Sequence, residues 1–514
     1  MRTKKAIINS CINIVSLLIT FIPNIIVRKV FLGALGNELL GLNSLYSNII
    51  GWLSIVEMGV GATIVYSLYR PYAENNREEI RAYIRFYGKF YRSIGFTILV
   101  LGILLVPFLK FFIEGEIDLT LVIFGFILSL INSFISYIFS HKICILNVAQ
   151  EVYKMTIGTT ISRFVIVIIQ IIMLNSYPSF INFILIQLIT NLIYYIVINI
   201  YIDKKYPWLN DGNEKLKDEE KGSLLKNVKA MFIHKIGTLV VYSTDNIIIS
   251  SFVGLGALAN YTNYQIVISA LEKIISTGLG GITASIGNLL TTGNKDKAYD
   301  VHKKIFFLNF WAVSFIVISM YNTLNQFIGI WVGEGYLLDG LTYMVILINT
   351  YFSAMRGSVE QFQSGSGKFY QDRYAPICEI IINLITSLIL VKYMGIAGVF
   401  IGTLISNFTV IFWTKPYVVY KYIFNEKLSK YYKIYFKYLL ISLVPLIITN
   451  FLTVNLRGRY NVLSFIYNCL INILVINILY IIIFFKTDEF KYYLNLLKSM
   501  IEKIKNNKVL DSFI

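Results

Sequence analysis

Fourteen stretches of mostly apolar residues, each about 20 residues long or longer, follow one another along the chain. A helix in lipid has to satisfy its backbone hydrogen bonds internally, and about 20 apolar residues are needed to cross roughly 30 Å of hydrocarbon. The stretches lie near residues 6–28, 43–68, 90–113, 117–140, 155–174, 179–201, 228–253, 258–290, 304–331, 337–364, 373–392, 395–419, 432–453 and 461–485. The sequence therefore predicts an all-α integral membrane protein with about 14 transmembrane helices.

The composition supports this class and excludes others. Of the 514 residues, 56% are hydrophobic and 15% are charged, whereas soluble domains average about 25% charged residues. A soluble multidomain protein and a disordered chain are both excluded by the apolar content. Four cysteines in the whole chain are too few for a disulfide-rich scaffold.

The distribution of Lys and Arg predicts orientation, because cytoplasmic connections carry an excess of these residues. If both termini are cytoplasmic, the outer connections hold few of the 46 basic residues, namely Arg28, Lys29, Lys110, Lys392, Arg457 and Arg459. We therefore expect a multi-pass protein with both termini in the cytoplasm. The net charge of +17 then reflects topology and attraction to anionic lipid, and nucleic acid is not an expected partner.

An internal repeat divides the chain into two halves. Four short elements recur in the same order at offsets between 218 and 223 residues. They are Asn-Ile-Ile at 24–26 and 246–248, Gly-Ala-Leu at 33–35 and 256–258, the glycine pairs 59/61 and 278/280, and the polar turns at 75–77 and 293–295. Six spans separate the copies, so both halves have the same orientation, and we expect two pseudo-symmetric six-helix bundles.

The repeat and the charge runs predict five regions. They are an N-terminal six-helix lobe at 1–203, a cytoplasmic linker at 204–227, a C-terminal six-helix lobe at 228–424, two further helices at 425–486, and a cytoplasmic amphipathic tail at 487–514.

Polar and basic residues inside the spans are candidates for a substrate cavity, because a polar stripe is not exposed to lipid. Spans 1, 5, 7 and 8 supply seven of them: Asn13, Thr20, Asn24, Arg28, Arg163, Lys235 and Lys273. Arg163 could bind a phosphate as a bidentate donor. The alternative is that such side chains only hydrogen-bond between helices.

Three carboxylates inside spans form a second set of candidates: Glu57, Asp245 and Glu272. An ionised group at mid-helix costs about 2.5–3.5 kcal/mol on insertion scales, so each needs a partner or water. Structural pairing and ion coupling are the two interpretations. No metal-ligand spacing is present, and no cofactor is expected beyond H⁺ or Na⁺ as a coupling ion.

Motifs for covalent chemistry are absent from the sequence. Gly-Ser-Gly-Lys at 365–368 resembles the end of a phosphate loop, but Phe362 and Phe369 replace the residues that such a loop requires. We interpret this segment as a turn between helices. The chain is therefore not expected to be an enzyme, and any work must come from ion gradients, membrane potential or a substrate gradient.

Two stretches resemble a known family. They are Ser-Ile-Val-Glu-Met-Gly-Val-Gly at 54–61 and Asn-Val-Lys-Ala-Met-Phe-Ile-His-Lys-Ile-Gly at 227–237. Both are similar to segments of bacterial oligosaccharide flippases, the O-antigen and capsule repeat-unit exporters of the multidrug/oligosaccharidyl-lipid/polysaccharide (MATE-like) superfamily. The resemblance extends over essentially the whole chain.

The resemblance implies two lobes around a central cavity and export of an undecaprenyl-pyrophosphate-linked oligosaccharide across the bacterial cell membrane by alternating access. A polysaccharide polymerase and glycosyltransferases are the implied protein partners. Two alternatives remain: an ion-coupled multidrug extruder of the same fold, which would favour an acidic cavity, and a membrane polysaccharide polymerase, which would usually have a large outer loop.

Overall fold

A computed structural model of the chain describes residues 2–57, 60–114, 117–212, 214–218, 221–222, 244–280, 282–291, 293–368 and 370–505. The chain forms two compact units, one containing residues 1–262 and 391–396 and the other containing residues 263–390 and 397–514. Throughout the described residues the regular structure is helical, and no strand is present.

The helices follow one another with short connections. The first seven are α1 (Arg2–Leu53), α2 (Val60–Ala73), α3 (Arg77–Leu105), α4 (Leu119–Phe139), α5 (Cys144–Val148), α6 (Val152–Ser176) and α7 (Phe180–Lys205), and residues 244–252 are also helical. They are followed by α8 (Leu255–Gly280), α9 (Thr283–Thr291), α10 (Lys295–Trp331), α11 (Gly340–Met355), α12 (Gly357–Ser366), α13 (Ala375–Ser406), α14 (Phe412–Val418), α15 (Leu428–Arg457), α16 (Val462–Phe484) and α17 (Asp488–Lys505).

Shorter helical turns join some of these helices. Segments of 3-10 helix lie at Ser54–Glu57, Val106–Phe112, Ser140–Ile143, Pro207–Leu209 and Glu334–Tyr336, and π-helical segments lie at Asn407–Ile411 and Val419–Phe424.

Nine helical segments within the described residues are long and apolar enough to cross a membrane. The predicted all-α membrane class is therefore confirmed. Two of the longest helical runs combine two predicted spans each, and both change direction at a glycine with positive φ. Gly36 (φ +83°) divides α1 between spans 1 and 2, and Gly395 (φ +55°) divides α13 between spans 11 and 12.

The second predicted span differs from its expectation, because it is not one continuous helix. The run expected at 43–68 leaves the α-helix after Leu53, passes through the 3-10 turn Ser54–Glu57, and re-enters an α-helix at Val60. The hydroxyl of Ser54 donates to the carbonyl of Ile50 at 2.8 Å, a bond that often accompanies helix bending. Glycines 59 and 61 also lower helix propensity by about 1 kcal/mol each.

The last two spans, α15 and α16, join the second unit through buried amides. Asn322 of α10 donates to Thr449 Oγ1 of α15 at 2.9 Å and to Asn472 Oδ1 of α16 at 2.6 Å. Asn468 donates to the backbone carbonyl of Asn322 at 2.8 Å and to Gln326 Oε1 at 3.1 Å. All five side chains are buried, so the network fixes the register of three helices.

Replacing Asn322 by leucine should destabilise this packing. The substitution leaves several buried polar groups without a partner, and each such loss costs about 1–3 kcal/mol. We expect a clear fall in the thermal unfolding midpoint of the purified protein. Asn455→Leu, an exposed position on α15, is the matched control and should unfold near the parent temperature. Equal midpoints for the two variants would contradict a structural role for the network.

The predicted topology can be tested at two exposed connections. A single cysteine placed at Asn75, between α2 and α3, should react with an impermeant thiol reagent only from the cytoplasmic side. A cysteine at Ser176, at the end of α6, should react only from the outside, since an odd number of predicted spans lies between the two positions. Labelling of both positions from one side would refute the predicted orientation.

Candidate functional site

A cavity of about 350 Å³ lies among α2 to α7 in the first unit. Tyrosines and small polar side chains form much of its wall. The lining residues are Glu57, Gly61, Val65, Tyr87, Tyr91, Ser136, Tyr137, Ser140, Ile143, Cys144, Asn147, Met155, Thr159, Tyr194 and Tyr195. Glu57 is the only charged residue among them.

Glu57 ends the 3-10 turn that interrupts the second span, and two phenols hold its carboxylate. The hydroxyl of Tyr91 on α3 donates to Oε1, and the hydroxyl of Tyr137 on α4 donates to Oε2 at 2.8 Å. Both carboxylate oxygens therefore have a donor, and Glu57 forms no ion pair with a residue that the structure describes. Hydrogen bonds to an ionised group are stronger than neutral ones, so the two tyrosines partly offset the cost of placing Glu57 in a span.

The tyrosine wall depends on glycines that leave room for the rings. A Cβ atom at Gly61 would lie 3.2 Å from the Tyr91 hydroxyl, and one at Gly158 would lie 2.9 Å from a ring carbon of Tyr194. The hydroxyl of Tyr194 is buried and has no hydrogen-bond partner in the described part of the chain.

The chemistry of this site is that of an acidic, aromatic pocket. Tyrosine faces attract organic cations and stack against apolar faces of ligands, while the serine, threonine and asparagine side chains can hydrogen-bond hydroxyl groups. The carboxylate of Glu57 can bind a proton or a small cation. Among the described residues, no group of three or more His, Cys, Asp or Glu side chains could hold a metal ion.

Ion pairs outside the spans fix the helix ends next to this cavity. Glu151, between α5 and α6, accepts hydrogen bonds from Lys154 at 2.8 Å and from Lys205 of α7. Burial alone would raise the pKa of Glu151, but the two lysines outweigh it and lower the pKa to about 2. Glu151 is therefore ionised at neutral pH. Its two ion pairs join the start of α6 to the end of α7, and both helices line the cavity.

The candidate residues of the first span, Asn13, Thr20, Asn24 and Arg28, do not share one environment. Thr20 is buried and donates to the carbonyl of Ser16 at 2.8 Å, whereas Asn24 is exposed. Arg28 is half-buried and donates to Thr262 Oγ1 at 2.5 Å and to the carbonyl of Ala259 at 3.4 Å. The side chain of Asn13 lies outside the described residues.

The predicted basic residues of the other spans are not gathered at this cavity. Arg163 is exposed on α6, while two other polar residues of this helix turn into the protein: Thr160 bonds to Ser16, and Gln170 donates to the carbonyl of Phe183 at 3.0 Å. Lys273 is exposed on α8. Lys235 lies outside the described residues.

Of the three predicted carboxylates, the structure places Glu57 in the cavity. Asp245 is buried at the start of the helical residues 244–252, next to Asn246, whose amide donates to Asn48 Oδ1 of α1 at 2.9 Å. Glu272 is half-buried on α8 in the second unit and makes no ion pair with a described residue.

The tyrosines are the residues that the sequence interpretation missed. Tyr83, Tyr87 and Tyr91 recur at every fourth position of α3, which places them on one helical face. That spacing was visible in the sequence. The convergence of Tyr87 and Tyr91 with Tyr137 and Tyr194 on one carboxylate-containing cavity depends on tertiary packing, which no local pattern specifies.

Comparisons with known proteins agree on the fold. No protein-family model matches the chain, and no curated protein sequence matches it either. Among solved structures, the lipid II flippase MurJ in an inward closed conformation matches with a TM-score of 0.70 at 15% identity, over 93% of this chain and 99% of MurJ.

Two multidrug transporters are also similar in structure. An inward-facing MATE family transporter of the MOP superfamily has a TM-score of 0.58 at 13% identity, over 76% of this chain and 91% of the transporter. A point mutant of the Vibrio cholerae MATE transporter VcmN has a TM-score of 0.55 at 14% identity, over 83% of this chain and 99% of VcmN.

The chain therefore has the fold shared by MurJ and the MATE transporters, and the predicted MATE-like fold is confirmed. It is a multi-pass integral membrane protein. The neighbours named here are a flippase and two transporters, and at 13–15% identity they show the fold alone.

Replacing Glu57 by glutamine should slow transport and weaken its dependence on pH or Na⁺. The amide keeps the shape but removes the charged acceptor of two hydrogen bonds, each worth about 1.5–3 kcal/mol. We expect at least about a tenfold fall in rate in proteoliposomes, since 1.4 kcal/mol corresponds to a factor of ten. Glu334→Gln, at an exposed site between α10 and α11, is the control. An unchanged rate and unchanged ion dependence in E57Q would show that Glu57 is structural.

Proposed function

We propose that this chain is a flippase that moves undecaprenyl-pyrophosphate-linked oligosaccharide repeat units from the cytoplasmic to the outer leaflet, for assembly of a surface polysaccharide such as a capsule or O-antigen. The observation that carries the proposal is the extent of the structural match. MurJ, whose name gives lipid II as its substrate, matches 93% of this chain at a TM-score of 0.70, against 76% and 0.58 for the MATE transporter.

The physics of such a substrate fits a transporter of this class. The polyprenyl tail can remain in lipid, but the sugars and the pyrophosphate need a polar route, because an unsolvated polar group is costly in hydrocarbon. Two lobes that rock about a fixed site would expose that route to each leaflet in turn. Outward movement of negative charge from a negative interior gains about 2.3 kcal/mol per charge per 100 mV.

We assign separate roles to the cavity and to the basic residues. None of the described residues that line the tyrosine cavity is basic, so it suits the uncharged glycan or a coupling cation (H⁺ or Na⁺) at Glu57. The pyrophosphate would be stabilised by basic residues of the spans, for which Arg28, Arg163, Lys235 and Lys273 remain the candidates. Asp245 and Glu272 remain candidates for ion coupling, and Asn13, Thr20 and Asn24 for substrate contact.

A bacterial cytoplasmic membrane location, with both termini in the cytoplasm, belongs to this proposal. So do its partners, the glycosyltransferases that build the repeat unit and the polymerase that consumes it after export.

An ion-coupled multidrug extruder is the second candidate, and one observation favours it. The cavity is acidic and aromatic, and Glu57 is the single charged residue among the described residues that line it. A carboxylate surrounded by aromatic rings is a suitable site for an organic cation. This arrangement was expected for an extruder rather than for a flippase.

Deletion of the gene distinguishes the two functions. For a flippase, lipid-linked repeat units should accumulate in the inner leaflet and surface polymer should be lost, and the parent gene should restore both. Accumulation and toxicity of cationic dyes should stay unchanged. Normal surface polymer together with increased dye accumulation would overturn the flippase proposal and favour the extruder.

A further inference from the structure

Exposed residues along α13 form an apolar stripe that ends at a cation. Ile377, Ile381, Ile385 and Ile389 lie at every fourth position, and each side chain is between 52% and 54% exposed. The wall of an aqueous cavity would carry polar groups, so this stripe faces lipid. Arg373, one further step of four residues back, lies just before α13 begins and is also exposed.

A second exposed stripe ends in the same way. Ile405, Thr409, Trp413, Tyr417 and Lys421 are exposed at every fourth position from α13 to the π-helical turn after α14. The order runs from an aliphatic residue through aromatic residues to a cation. Membrane proteins show this order from the hydrocarbon through the interfacial aromatic belt to the headgroups. Lys421 therefore lies at headgroup depth.

The ends of the two stripes belong to one surface. Lys415 Nζ lies 3.4 Å from Asp372 Oδ2, and Lys368 Nζ donates to the backbone carbonyl of Tyr422. Asp372 is buried and also accepts a bond from Gln363 Nε2 at 2.9 Å. Asp372, the one carboxylate in the sequence 367–374, thus interacts with Lys415 and Gln363. It forms no ion pair with Arg373 or Lys421.

Tyrosine rings hold these cations without neutralising them. The Arg373 guanidinium carbon lies 3.8 Å from the Tyr370 ring centroid and 4.6 Å from that of Tyr374. Lys421 Nζ lies 4.8 Å from the Tyr417 ring centroid. Neither cation forms an ion pair with any residue that the structure describes.

We propose that this basic-aromatic surface, formed by Lys368, Arg373, Lys421 and the tyrosines beside them, binds the phosphate of an anionic phospholipid of the adjacent leaflet. Three features support a phospholipid: the surface continues two lipid-facing stripes, its depth is that of headgroups, and its cations form no ion pair with a described residue. A guanidinium held flat by aromatic rings can donate two parallel bonds to phosphate oxygens.

This proposal goes beyond the transport function and does not depend on the identity of the transported substrate.

The proposal also assigns a lipid-binding role to Lys368. The turn at 365–368 is confirmed as a helix connection, since α12 ends at Ser366 and Gly367 adopts the left-handed conformation (φ +67°). The lysine is thereby placed at the membrane surface.

Native mass spectrometry of the full-length protein tests the site. The protein is stripped of lipid in detergent and titrated with phosphatidylglycerol or with phosphatidylcholine. We expect the parent to retain phosphatidylglycerol preferentially, and R373Q/K421Q to retain it at least threefold less, with phosphatidylcholine unchanged. K215Q/K217Q, which removes two charges from the exposed linker, should behave as the parent. R373K/K421R keeps both charges and should retain most of the preference.

Three results would overturn the proposal. The first is an unchanged phosphatidylglycerol preference in R373Q/K421Q. The second is an equal loss in K215Q/K217Q, which would indicate a general effect of net charge. The third is a stronger affinity of the same site for a polyprenyl diphosphate than for phosphatidylglycerol, lost in R373Q/K421Q, which would identify the occupant as a transport substrate. Lipid binding is measured without transport, so this result can be interpreted even if the flippase proposal fails.

Discussion

Hydrogen bonding of the backbone within hydrocarbon is the constraint on which the rest of this structure depends. Lipid offers no partner for an amide or a carbonyl, so the chain crosses as helices, and any departure from a helix has to lie against protein or water. The second span departs from the α-helix at the 3-10 turn Ser54–Glu57. The polar groups that adjoin this break include Glu57 and the hydroxyls of Tyr91 and Tyr137. A polar cavity lies at the break because discontinuous helices need polar surroundings, and binding sites of transporters are commonly built there.

Buried polar residues alone do not identify a site, as a comparison of two clusters shows. The amides of Asn322, Asn468 and Asn472 bond to one another, so they fix helix packing. The cavity beside Glu57 has about 350 Å³ of space and is lined by polar side chains such as Ser136, Asn147 and Thr159. Amides that bond to one another indicate helix packing, whereas polar side chains around an open volume can bind a ligand.

The sequence predicted the membrane class because apolar runs of sufficient length have few other uses. Local spacing also accounts for some contacts: Arg356 and Glu360 are four residues apart in the sequence, and Arg356 Nε lies 2.9 Å from Glu360 Oε1. Helical spacing shows which residues share a face, but it cannot show what that face packs against. Helical spacing places Arg163 near Thr160 and Gln170, for example, but the structure exposes the arginine and turns the other two inward. The tyrosine cavity was missed because its members come from separate segments, and only their tertiary packing brings them together.

The charge of the cavity limits what any transported molecule can place there. A carboxylate with no basic neighbour among the described lining residues repels a pyrophosphate. At short range in a medium of low dielectric this repulsion amounts to several kcal/mol. A glycolipid headgroup joins an uncharged glycan to an anionic diphosphate, so one cavity of this kind cannot serve both parts. A flippase with this structure must therefore hold the diphosphate elsewhere, on basic residues such as Arg28, whose guanidinium already bonds to Thr262 and Ala259. An organic cation has no such requirement, because the cavity alone suffices for it. The distinction between the two functions thus depends on whether the basic residues of the spans contact substrate.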